Sequence, residues 1–187
     1  MLVYSLLCVA LATGNALFWL HKWHEQGVEL CFADTMMTGV QPSFLLMLLI
    51  PPTLGLVHQL KFILEQPFVI CALDNRARLA RNLLAALLFI AFRAVMAVSI
   101  PSIALGALLF RGGKPCTWES GASYYAYMTG QTLITPVKTG SLIVWQAMTI
   151  WLTVLLVSIL FLSINLSCES HQLGSILSWG VCLLALW

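Results

Sequence analysis

The chain has 187 residues, of which 60% are hydrophobic and only 9% charged, whereas a soluble domain carries roughly 25% charged residues. Such a composition cannot cover a water-facing surface, and the net charge of +2 is too small and too scattered to suggest nucleic acid. The apolar runs are continuous and rich in Leu, Ala, Ile and Val, not alternating as in an outer-membrane barrel, so helices must satisfy the backbone in lipid. The expected fold is all-α: a single transmembrane domain over residues 1–187, built as a polytopic integral membrane helical bundle of about five spans.

The first span is predicted over Leu2 to Leu20. It lacks a basic start, is long for a signal core and shows no convincing small-x-small site, so it is read as a retained helix. A polar loop, His21 to Gln41, follows. In it "HKWHE" sets His21, His24 and Glu25 at helical spacing, where imidazole and carboxylate could share a face and take further metal ligands from Glu29, Cys31 or Asp34. The pattern matches no recognised zinc spacing, and Lys and Trp commonly anchor helix ends at the headgroups. The anchor is the preferred reading, and no metal or other cofactor is expected.

The second run, residues 43–64, carries Pro51, Pro52, Gly55, His58 and Lys61, and its prolines predict a helix bent or broken near its middle. Next, "PFVICALDNRARLARN" gathers charge. Pro67 suits a helix start, and a short amphipathic cytoplasmic helix is predicted over residues 67–82. Phe68, Val69, Leu73 and Leu79 would lie against the membrane or bundle while Asp74, Arg76, Arg78 and Arg81 reach outward. The third span is placed at 83–110, with a kink at Pro101. After a polar loop at 111–139 come a span at 142–166 and a last apolar run at 173–187, which is short for a full crossing.

Lys61, Arg76, Arg78 and Arg81 cluster around one loop, whereas the first loop sets Lys22 alone against Glu25, Glu29 and Asp34. The positive-inside rule therefore puts the basic segment and the N-terminus in the cytoplasm, although Arg111, Lys114 and Lys138 fall on the opposite side. Of the six cysteines, Cys31 and Cys116 lie in the predicted external loops. An oxidising compartment would allow them to pair, and the sequence leaves that pairing open.

Arg93 lies roughly ten residues into the third span, near its middle by helical rise. A cation there costs about 2.5 kcal/mol or more and normally faces the protein interior, a wet cavity or a partner. Its expected partners are carbonyls freed near Pro51 and Pro52, the polar groups of Gln146, Thr149 or Asn165, another subunit, or a bound anion. Snorkelling to the interface is the alternative. No phosphate loop, Walker lysine, G-x-S-x-G elbow or intramembrane carboxylate pair occurs in the sequence, so nothing in it supports an enzyme.

The basic segment resembles one in the membrane subunits of bacterial ABC exporters, especially the small permeases found beside bacteriocin and lantibiotic genes. There an apolar stretch runs into a motif of the form "RYGSRKRW" before the third span. The matching stretch here is "ALDNRARL", Ala72 to Leu79. Arg76 and Arg78 fall on the second and third arginines, while Ala72, Asn75 and Leu79 depart from the pattern. The resemblance covers residues 43–110, with a weaker echo at 152–167. It implies a permease subunit of the bacterial cytoplasmic membrane that exports a peptide or confers immunity to one.

In that picture the basic element is a coupling helix docked on a separate ABC-type ATPase, and the permease pairs with itself or with another membrane subunit. Pro51, Pro52 and Pro101 would mark bending points during alternating access, and Arg93 would contact an anionic substrate group or hold one state. Two other classes stay open: an accessory or assembly subunit of a larger membrane complex, and a membrane enzyme using the "HKWHE" loop.

Overall fold

Lipid withholds hydrogen bonds from the backbone, so each apolar run must close its own. A computed structural model of the protein describes residues 2–27, 30–64, 76–110 and 138–167. Among these residues every regular element is helical and four helices are long and apolar enough to span a membrane, as an all-α integral membrane bundle requires. The run at 173–187, expected as a fifth span, lies outside the described residues.

Helix α1 (Leu2–Glu25) buries Tyr4, Cys8, Ala12, Ala16, Leu20 and Trp23. These stand three or four apart and form one stripe. Its middle members are small, and α1 packs on α5 (Arg76–Leu109), whose buried Ala91, Ala94 and Ala97 lie in the same core. Small side chains let two helices approach closely in lipid, where dispersion replaces the hydrophobic effect as the source of adhesion.

The polar loop expected over His21–Gln41 takes a different form. Residues 21–25 continue α1, because nothing in that stretch breaks a helix. A short helix, α2 (Phe32–Thr38), then folds back onto α1, α5 and α6 (Thr139–Ser167) and buries Ala33, Asp34, Thr35, Met36 and Thr38. The Asp34 carboxylate accepts the Cys31 backbone N–H at 2.8 Å, satisfying a donor at the helix start as a capping box does.

The second span combines α3 (Pro42–Phe44), a π-helical turn (Leu45–Leu49) and α4 (Ile50–Leu64). Pro51 and Pro52 withhold the N–H groups that the Met47 and Leu48 carbonyls would accept in an α-helix. At the place where a bend or break was expected, the chain makes one wider turn, Ile50 N–H bonding to the Leu45 carbonyl five residues back. Burial follows the same spacing. Phe44 to Leu49 and Leu45 to Ile50 are five apart, while Leu49, Thr53, Val57 and Lys61 are four apart, and all are buried.

Helix α5 has 34 residues, about 51 Å at 1.5 Å per residue, against a hydrocarbon core of about 30 Å. The separate basic helix expected over 67–82 is, from Arg76 onward, the first two turns of this same helix. Arg, Ala and Leu all favour helix, and no breaker divides residues 76–82 from the span. Asp74 and the rest of 67–75 lie outside the described residues. The helix also runs on through Pro101.

Neighbouring spans run in opposite directions. Tyr4 of α1 touches Thr53 and Arg93 touches Ser5, while Lys61 reaches Asn165. One end of the bundle therefore carries Lys61, Arg78, Arg81 and the start of α1, and the other carries α2. Outward faces display Val3, Leu84, Phe92, Ile100 and Leu156, as expected of surfaces in contact with lipid tails.

Candidate functional site

Polar side chains collect where α2 enters the bundle. Gly39 lacks a Cβ for a steric reason: one placed there would strike the Gln146 amide and come within 2.8 Å of Val98 Cγ1. Gln146 Nε2 donates to Ser102 Oγ at 3.5 Å, and the Ser102 hydroxyl donates to the Val98 carbonyl at 2.9 Å. From the α1 side, Asn15 Nδ2 donates to the Thr38 carbonyl at 2.8 Å, one of the carbonyls a helix end leaves without an internal partner.

Within this polar seam Gln41 Oε1, Gln146 Oε1 and Ser99 Oγ are buried and have no hydrogen-bond partner among the described residues. Such groups are costly in lipid and can hold a polar guest or a second helix conformation. Amides and hydroxyls bind and orient, but they do not abstract protons at neutral pH. The seam pairs residues more than a hundred positions apart. The only sequence trace was polar residues at helical spacing inside apolar runs, such as Ser99 and Ser102.

A second feature surrounds Arg93. Its guanidinium donates to Ser5 Oγ at 3.3 Å and lies 5.0 Å from the centre of the Phe89 ring. The side chain thus points back along α5, the direction long helical side chains take. Gln146 and Asn165, both expected as partners, are placed elsewhere, Gln146 in the seam and Asn165 beside Lys61. The π turn, and not Arg93, accompanies Pro51 and Pro52. Between α1 and α5 an open groove of about 730 Å³ runs away from Arg93 along Val9, Met96, Ile100 and Leu108.

At the basic end, Lys61 Nζ donates to the Asn165 carbonyl at 3.3 Å, near the end of α6 where helix carbonyls and the helix dipole favour a cation. Arg78 and Arg81 are exposed there. Arg76 opens the helix. Pro101 is buried one residue before Ser102.

The "HKWHE" residues form an amphipathic helix end. His21 Nε2 and Glu25 Oε1 are 3.3 Å apart and largely exposed, His24 is exposed, and Lys22 sits 4.9 Å from the centre of the Trp19 ring, which itself packs on Trp23. Among the described residues no three His, Cys, Asp or Glu side chains come together as a metal site would need. Cys31 caps the start of α2, and Cys116 lies outside the described residues. No family model, curated protein or solved structure matches this chain.

Proposed function

We propose that the chain is a non-enzymatic permease subunit of an ATP-driven transporter, coupled through its basic end to a separate ABC-type ATPase and moving or giving immunity to a peptide. The observation that supports this reading most is the continuity of α5. One unbroken helix joins Arg76, Arg78 and Arg81 to Arg93, to Pro101 and to the seam hydroxyls Ser99 and Ser102. A displacement of the basic end would be carried rigidly to the groove and the seam, and buried Pro101 marks a point where the helix lacks one internal hydrogen bond.

In this reading Lys61, Arg78 and Arg81 face the cytoplasm of a bacterial cell, as does the start of α1, in keeping with the positive-inside rule. The bundle pairs with a second copy or with another membrane subunit. The test is a mild-detergent pull-down with the full chain as bait, comparing the native sequence with Arg76→Glu/Arg78→Glu. A soluble ATPase recovered by the first and lost by the second supports docking. Recovery of membrane subunits alone, with either bait, replaces this reading with that of an accessory subunit.

A further inference from the structure

Arg93 is a cation facing an apolar groove. Among the described residues no carboxylate pairs with it. The single acidic residue on the four spanning helices, Glu25, lies twenty positions along α1 from Ser5, about 30 Å away. A serine hydroxyl and a phenyl ring lower the cost of burying the charge but do not neutralise it. The groove beyond it is walled by Val9, Met96, Ile100 and Leu108. From Arg93 to Leu108 it follows α5 for about 22 Å, more than the roughly 15 Å occupied by one leaflet's acyl chains.

Depth fits the same occupant. Asn165 is nineteen positions from Gln146, and Leu83 is nineteen from Ser102. Since Gln146 touches Ser102 and Lys61 touches Asn165, Leu83 lies at the Lys61 level. From there to Leu109 α5 rises about 39 Å, so a core of about 30 Å centred on this stretch leaves some 4 to 5 Å over at each end. The Arg93 backbone is about 15 Å above Leu83, and its side chain returns one turn toward Phe89, which brings the guanidinium within about 5 Å of the core boundary on the basic face.

We propose that this groove binds one anionic phospholipid from the basic-face leaflet, with its phosphate on Arg93 and Ser5 and an acyl chain laid along Met96, Ile100 and Leu108. A neutral headgroup offers the guanidinium no net charge, and a charge-assisted pair with phosphate is stronger than either neutral contact. Basic pockets between membrane helices on a positively charged face recognise anionic headgroups by this chemistry. The inference does not rest on the transport reading and stands or falls separately from ATPase docking.

The test is native mass spectrometry of the full chain purified in detergent containing equal amounts of phosphatidylglycerol and phosphatidylcholine. The wild type is expected to retain one phosphatidylglycerol, preferred about tenfold over phosphatidylcholine. Arg93→Gln should lose that preference, and Arg93→Lys, which keeps the charge, should retain most of it. Ile100→Trp fills the groove at a lipid-facing position and should lose the bound lipid. Should Arg93→Gln fail to purify, the wild-type preference and Ile100→Trp decide alone. Equal binding of the two lipids by the wild type, or undiminished phosphatidylglycerol on Arg93→Gln, would overturn the proposal. So would efficient cross-linking of an Ile100→Cys chain to another helix in phosphatidylglycerol bilayers, which would show protein in the groove.

Discussion

Replacing Gly39 by Ala tests whether the polar seam is packed as described. Gly39 has φ −77° and ψ −12°, an ordinary right-handed conformation, so the backbone would accept alanine and any cost is steric. The added methyl would stand 2.8 Å from Val98 Cγ1, where carbon atoms prefer 3.5 to 4.0 Å. Val98 is fully buried and, being β-branched, has one favoured rotamer in a helix. Gln146 would also have to leave Ser102.

Overpacking of this kind costs about 1 to 3 kcal/mol. Gly55→Ala is the control: nothing lies within 4 Å of its added methyl, and helix propensity alone should stabilise α4 by up to about 1 kcal/mol. Titration of the detergent-solubilised chain with sodium dodecyl sulfate, followed by tryptophan fluorescence, gives both changes. If Gly39→Ala shifts the midpoint no further down than Gly55→Ala, the seam is not close-packed. Combining Gly39→Ala with Gln146→Ala should recover part of the loss, since the two sites share one contact.

Three further outcomes are expected from the same unfolding assay. Tyr4→Phe removes the 2.9 Å hydrogen bond to Thr53 that ties α1 to α4 and should cost about 0.6 kcal/mol, the usual worth of such a bond in a membrane bundle. Lys61→Met keeps the apolar stem but drops the donor to the Asn165 carbonyl, for a loss of about 1.5 to 3 kcal/mol. Asp34→Ala deprives the Cys31 N–H of its 2.8 Å acceptor and should lower stability by about 1 to 2 kcal/mol. Amide exchange by mass spectrometry should localise that last effect to α2.

Hydropathy alone located the four long apolar helices among the described residues, because an unbroken apolar run in lipid has only one way to satisfy its backbone. Their ends were less legible. Helix bonding does not stop where apolarity stops, so α1 runs past Leu20 through His21, Lys22 and His24, and α5 begins among its arginines. Burial of α2 was hidden for another reason. Asp34, Thr35 and Thr38 read as a water-facing loop until their hydrogen bonds to Cys31, Phe32 and Thr35 are seen. The Gly39–Gln146 contact and the Arg93–Ser5 bond join distant segments, and no local pattern announces such pairs. Arg93 itself stood out at once, since a lone cation in an apolar run is rare.

The π turn at Leu45–Leu49 makes the second span one residue longer than its faces require. A plain α-helix would repeat its buried positions every four residues or so, and the interval of five across this turn is where the surplus is stored. Met47 is 75% exposed and sits inside that interval. Deleting it would leave Phe44 and Leu45 four residues from Leu49 and Ile50, the spacing at which buried positions recur further along the helix, whereas deleting Leu56 would rotate everything beyond it by about 100°. Chain length in this helix is thus adjustable by one at a single place.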